Sequence, residues 1–405
     1  MKTIAVLIIV LIIGGAASAL ALVYYQPVQP QPDLDISGPD GSGFLPIAFE
    51  NATNLSNNDQ DSVYGQVAAW DSMVYIIWQD SVSGRNYDIF MIKSIDNGTS
   101  FGPPINLSNN PGFSEHPQLS TSGSSVYAVW ADNTPGNREV LFSRSTDNGT
   151  SFEDTRNLSN DASDSHNQEM AAFGNNVYAI WLDLDEGENA RILFRASSDG
   201  GATFSETTSI SSQAGAGSFP KVAAYGDDVY VAWNVIGKGT DDGLYFAKSS
   251  DRGSTFGNIT RLGRDISGES QVAAYNDTVY VVSGGLHTAE VNGLFFIKSV
   301  DGGETFAEPA QIDAGGQFVN PLNVEIAADD PDVAYVAGQV FSGGNEEILL
   351  LPMSGGNATG VANLSKNEKI SECPSIAMAG NNIYVVWEDM TPGNHEVLYA
   401  KGSRI

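Results

Sequence analysis

Residues 94–101 read Ser94-Ile95-Asp96-Asn97-Gly98-Thr99-Ser100-Phe101, and 51 residues later Ser145-Thr146-Asp147-Asn148-Gly149-Thr150-Ser151-Phe152 repeats the pattern. Three further copies run from Ser197 to Phe204, Ser249 to Phe256 and Ser299 to Phe306, centred on Asp199, Asp251 and Asp301. These residue types build a tight turn. A carboxylate accepts hydrogen bonds from nearby backbone N–H groups, and glycine tolerates φ > 0 where a hairpin reverses. The hydroxyls satisfy further backbone groups, and the closing aromatic ring suits the space beneath the turn. In a sixth unit Met353-Ser354-Gly355-Gly356-Asn357 replaces the motif.

Outward from the turn lies a second repeat of the same period. A tyrosine heads an apolar run at Tyr75, Tyr127, Tyr178, Tyr230, Tyr280, Tyr335 and Tyr384, at spacings of 52, 51, 52, 50, 55 and 49. Tryptophan follows three residues later at Trp78, Trp130, Trp181, Trp233 and Trp387, and Ser283 and Gly338 replace it in units five and six. Each unit holds four short segments, in the first Gln66–Ala69, Val74–Trp78, Asp88–Lys93 and a stretch near Pro103–Leu107. The run Val74-Tyr75-Ile76-Ile77-Trp78 is apolar on both faces, so the strand it forms must be covered on both sides. Four-stranded sheets stacked around an axis meet that need, and a fixed period near 50 residues is the mark of such arrays.

A solenoid is the structural rival, and the chain ends decide against it. Each turn phenylalanine precedes the next unit by five residues, as Phe101 precedes Asn106, and Phe49 precedes Asn54 by the same five. The chain stops just after the third segment of unit seven, Glu396–Ala400. The segment Phe49–Leu55 therefore reads as the missing fourth strand of the last sheet. Pairing the two ends closes the ring and removes its free edges. The expected fold is an all-β, seven-bladed propeller of four-stranded antiparallel blades, latched by an N-terminal strand in the last blade.

The in-register copies resemble the Asp-box, or BNR, repeat of the sialidase-like β-propeller superfamily, over residues 44–405. The resemblance implies that the aspartates Asp96, Asp147, Asp199, Asp251 and Asp301 are structural, on the face away from any active site. For a working sialidase it implies three arginines gripping a substrate carboxylate, a Tyr–Glu nucleophile pair and an Asp acid/base. The place of the first arginine reads Gly43-Phe44-Leu45-Pro46, and no Lys or Arg occurs between Lys2 and Arg85. No catalytic residue is carried over.

Charge and composition narrow the function classes. Acidic residues outnumber basic ones 49 to 19, a formal net charge of −30, which repels nucleic acid and anionic membrane surfaces. Cys373 is the single cysteine, so no internal disulfide forms. The uncharged run from Ile4 to Tyr25 is a signal peptide or an N-terminal membrane anchor, and either places the chain outside the cell. Residues 26–43, rich in Pro, Asp and Gly, form a solvated spacer.

Candidate ligand residues gather in the loops between second and third strands, opposite the Asp turns. They are Arg85, Arg138 and Arg191 as a substrate grip, with Asp132 and Glu139. His116 and His166 sit in neighbouring links between a fourth strand and the next first strand, where they can converge near the axis. The repeated acids Asp132, Glu139, Asp389 and Glu396 suit Ca²⁺, or else are capped hairpins repeated because the blade is repeated. No metal site and no cofactor is otherwise expected. The leading functional expectation is a cell-surface binding or scaffold propeller recognising a glycan, a wall polymer or a surface protein. The alternatives are a divergent sialidase-like glycoside hydrolase and an assembly factor for a membrane complex.

Overall fold

The computed structural model describes residues 47–82, 86–184, 190–211, 217–235, 242–264, 266, 268–284, 293–312, 323–342 and 344–404. The expected signal peptide or anchor and the expected spacer, residues 1–43, lie outside the described residues, as do Arg85 and His287. Among the described residues no helix is long and apolar enough to cross a membrane.

Seven antiparallel sheets follow one another along the chain. In blade 1 the strands are Ser62–Trp70, Met73–Val82, Asn86–Ser94 and Ile105–Asn106, hydrogen-bonded in that order from axis to rim. The second strand is the buried one. Trp78, Trp130, Trp181, Trp233 and Trp387, with all seven heading tyrosines, are the largest fully buried side chains. They fill seven apolar clusters, and each cluster belongs to the seam between two blades rather than to one blade. In one seam Tyr178, Ile180 and Ile192 of blade 3 meet Val229, Val231 and Trp233 of blade 4. A strand apolar on both faces is therefore covered on both, as its sequence demands.

The ring closes as expected. Ile47–Phe49 and Thr53–Asn54 pair antiparallel with the last strand, Glu396–Arg404, in the registers Phe49↔Gly402 and Thr53↔Tyr399. Behind this latch, Tyr384, Val386 and Tyr399 of blade 7 pack with Val67, Val74 and Trp78 of blade 1. An open solenoid has no such seam between its first and last units.

The Ser-x-Asp-x-Gly turns weld neighbouring blades as well as reversing the chain. Asp96 accepts hydrogen bonds from Ser94 Oγ (2.6 Å), Ser100 Oγ (2.7 Å) and Ser100 N (2.9 Å). In Asp199 the Thr203 hydroxyl, and next its N–H, hold the carboxyl down at about 2. The turn phenylalanine packs edge-on against an aromatic ring of the preceding blade, Phe101 on Tyr399 and Phe204 on Phe142, both at 5.1 Å. Gly149 has φ +65°, and a Cβ there would meet Tyr75 Cε1 at 2.9 Å. Glycine is thus required both by the turn and by the neighbouring ring. In blade 6 the turn is replaced by a short hairpin through Gly355 and Gly356 that leads to Asn357–Ala358.

Candidate functional site

The face opposite these turns is built on a second repeated network. The acids placed by sequence in second-to-third-strand loops stand at strand ends, directly across from each other: Asp132↔Glu139 and Asp389↔Glu396. Asp132 accepts from Trp130 Nε1 (3.1 Å), Ser114 Oγ (2.8 Å), Asn110 Nδ2 (2.7 Å) and Thr134 N (2.8 Å). Asp389 accepts from the equivalent Trp387, Ser371, Asn367 and Thr391. Glu139 accepts from Ser159 Oγ, and Glu396 from Ser56 Oγ, Asn58 N and Asn394 Nδ2. A Ca²⁺ ion at these acids would have to displace donors already in place. The arrangement works as a clamp: the tryptophan that fills a seam is tied to the link arriving from the previous blade.

At the axial rim the innermost strands carry a bulge just inside this clamp. Register shifts fall between Val63 and Gln66, Glu115 and Gln118, His166 and Glu169, Ser218 and Lys221, and Glu372 and Ser375. Tyr64, His116, Asn167, Phe219 and Cys373 take positive φ there. The bulge turns a backbone N–H toward the preceding blade. Tyr64 N donates to Glu388 Oε1 (2.7 Å), His116 N to Gln79 Oε1 (3.0 Å) and Cys373 N to Gln339 Oε1 (3.3 Å).

The predicted histidines therefore lie on these innermost strands, Ser114–Ser122 and Asp164–Phe173, and not in the links that precede them. His116 packs against Tyr64 in a tilted contact, ring centroids 4.2 Å apart, and burial lowers its imidazole below the usual value. His166 is half-buried, and burial followed by the charge of Arg138 pushes its imidazole below the usual value. Arg138 is ion-paired with Glu115 at 2.7 Å, and Arg191 bonds Asp183 through Nε at 3.1 Å. The thiol of Cys373 accepts from Asn323 Nδ2 at 3.5 Å, and burial followed by Glu388 and Glu372 raises it well above its ordinary range. A thiol so held stays protonated and is no nucleophile.

Below the rim the channel carries a polar belt that the sequence reading passed over. Gln66, Gln118, Glu169, Lys221, Gln271, Glu325 and Ser375 occupy one equivalent position on the seven innermost strands. They recur at intervals of 52, 51, 52, 50, 54 and 50, a signal present in the sequence but hidden by the stronger Tyr–Trp repeat. Gln118 donates to Glu169, Lys221 pairs with Glu169, and Gln271 donates to Glu325. Burial presses against the Lys221 ammonium, but Glu169, Glu325 and Glu269 outweigh it and raise its pKa. Three carboxylates thus share the field of one ammonium.

No family model matches the sequence, and no curated protein matches it. Solved structures do. A protein of unknown function from Dyadobacter fermentans matches with a TM-score of 0.55 at 13% identity, covering 89% of this chain and 99% of that one. The Hadza microbial sialidase Hz136 matches with 0.51 at 15% identity, over 82% and 74% of the two chains. Trypanosoma rangeli sialidase matches with 0.50 at 11% identity, over 88% of this chain and 59% of that one. At such identities the likeness is one of fold alone: the chain shares the β-propeller fold of these proteins.

Proposed function

We propose that the chain is an extracellular binding propeller whose loop face takes a neutral or cationic ligand, a glycan, a wall polymer or a surface protein. The state of the basic side chains carries this reading. Among the described residues, the predicted grip residues Arg138 and Arg191 and the belt residue Lys221 are each ion-paired to a carboxylate of this same chain. A grip for a substrate carboxylate needs guanidinium groups aimed at the ligand, and here the field they would supply is already neutralised. The overall charge of −30 adds to the repulsion of an anionic sugar. The uncharged run Ile4–Tyr25 supports the extracellular reading.

The test is array binding of the full chain to neutral, basic and sialylated glycans, run beside hydrolysis of fluorogenic sialosides and hexosides. Binding confined to neutral or basic ligands without turnover is the expected result, and sialoside turnover overturns it. A divergent hydrolase is the second reading, and the Glu388 carboxyl at the rim is what favours it. Burial, with Glu372 adding, lifts that carboxyl to about 7, the range of a general acid. Turnover of a hexoside that disappears in Glu388→Gln would move the conclusion to that reading.

A further inference from the structure

Blade 7 departs from blade 2 within a hairpin the two share, and blade 2 supplies the control. In blade 2 the hairpin Asp132-Asn-Thr-Pro-Gly-Asn137-Arg138-Glu139 sets Arg138 against Glu115, 2.7 Å apart. Blade 7 has the same hairpin, Asp389-Met-Thr-Pro-Gly-Asn394-His395-Glu396, with histidine in place of that arginine. Glu372 stands where Glu115 does, and Glu388 replaces Ala131 directly across from it. One fixed cation has gone and one carboxylate has been added.

We propose that Glu372, Glu388 and His395 form a site for one divalent transition-metal ion of the zinc type, at the loop-face end of blade 7. Their ligand atoms all lie within 4.8 Å of one another. His395 Nδ1 is 3.6 Å from Glu372 Oε1 and 3.7 Å from Glu388 Oε2. Those separations are too long for hydrogen bonds. They suit two ligands of one ion, since atoms about 2.1 Å from a tetrahedral metal stand roughly 3.4 Å apart. Nδ1 is buried and has no hydrogen-bond partner, an arrangement that costs free energy unless something fills the gap.

The carboxylates across Asp389↔Glu396 are satisfied throughout by N–H and O–H donors, whereas Glu388 takes the Tyr64 N–H and the Cys373 thiol and Glu372 faces that carboxylate and an imidazole. Like charges directly opposite on paired strands repel, and a cation between them reverses the sign. Outer contacts hold the set in place. Glu388 Oε1 accepts from Tyr64 N, which turns Oε2 toward the histidine. The His395 backbone is pinned on both sides by blade 1, its N–H donating to Asp61 Oδ1 (3.1 Å) and its carbonyl accepting from Ser62 N (2.8 Å). Such second contacts orient ligands in metal sites. Glu388 is buried while Glu372 and His395 are partly exposed, so the site opens to solvent on one side and leaves a coordination position for water or a ligand. One imidazole and two carboxylates favour Zn²⁺ over Ca²⁺, which takes oxygen ligands.

Titration of the metal-stripped full chain with Zn²⁺ and with Ca²⁺, followed by calorimetry, tests the site. One Zn²⁺ per chain is expected, with Ca²⁺ far weaker, and His395→Asn or Glu372→Gln should weaken Zn²⁺ by roughly 100-fold or more. His166→Asn, at the other half-buried rim histidine, should leave that affinity unchanged. Co²⁺ in place of Zn²⁺ reads the ligands directly through its visible absorption, which should vanish in His395→Asn. Zn²⁺ affinity equal in the wild type and both ligand variants, or lost instead in His166→Asn, overturns the proposal. Should Glu388→Gln fail to fold, the partly exposed Glu372 and His395 still decide it.

Discussion

Replacing Glu325 by Gln tests whether the channel belt is a source of strain. Glu325 faces the channel near Glu169 and Glu269, with Lys221 as the cation that all three share. Burial first, and then the two acids, raise its carboxyl from 4.5 to about 8. The folded state therefore keeps this proton to higher pH than the unfolded chain does. Below about pH 4.5 both states are protonated and nothing is lost. From there to about pH 8 the unfolded chain gains by ionising while the folded one cannot, and stability drains away at ~1.4 kcal/mol per pH unit. Over that window the ceiling is ~5 kcal/mol, and the polar surroundings of the belt, which raise the effective permittivity above that of an apolar interior, leave about 2–3 kcal/mol. Gln keeps the oxygen that accepts from Gln271 and removes the charge. Urea unfolding near pH 5 should show little difference between Glu325→Gln and the wild type. Near pH 8.5 the variant should be the more stable by about 2–3 kcal/mol. An offset that is the same at both pH values would refute the reasoning, because it would not arise from ionisation.

Other substitutions address the seams and the latch. Gly149→Ala should cost about 2–3 kcal/mol, because it adds a clash with Tyr75 to an unfavourable φ. Gly123→Ala, at φ +61° with nothing within 4 Å, isolates the backbone part and should cost only about 1 kcal/mol; equal losses in melts of the two would remove the neighbouring ring from the argument. Asp132→Ala leaves four donors without their acceptor at a buried site and should cost about 3–5 kcal/mol. A loss below about 1 kcal/mol in denaturant titration would mean that the clamp contributes little. Phe49→Ala takes a half-buried ring from the latch strand and should cost about 1–2 kcal/mol, and an unchanged melting temperature would show that the latch does not hold the ring.

Wherever the cause is local and repeated, the sequence announces the structure. The Ser-x-Asp-x-Gly turns need only four or five neighbouring residues to satisfy their backbone, and five copies make them legible. The strands apolar on both faces state that they are covered twice, and the residues around Phe49 state which sheet is short of a strand. The acids beside the tryptophans were visible too, but their partners were not. Asn110 reaches Asp132 across 22 residues, from a link whose path depends on the preceding blade.

By itself, then, the amino-acid order determined the number of sheets, the order of strands within each and the place where the ring is joined, because turn chemistry and two-sided burial act over short stretches and recur. Only the closed tertiary structure decided which charges meet. Tyr64 N finds Glu388 across 324 residues because the last blade abuts the first. Lys221 comes to be shared by three acids because separate strands converge on one axis. Glu372, Glu388 and His395 are drawn together by the register of two paired strands and the hairpin that follows them. Each of these rests on side chains that change from blade to blade at a repeated position, so the period does not announce them and the geometry of the whole ring sets the distance.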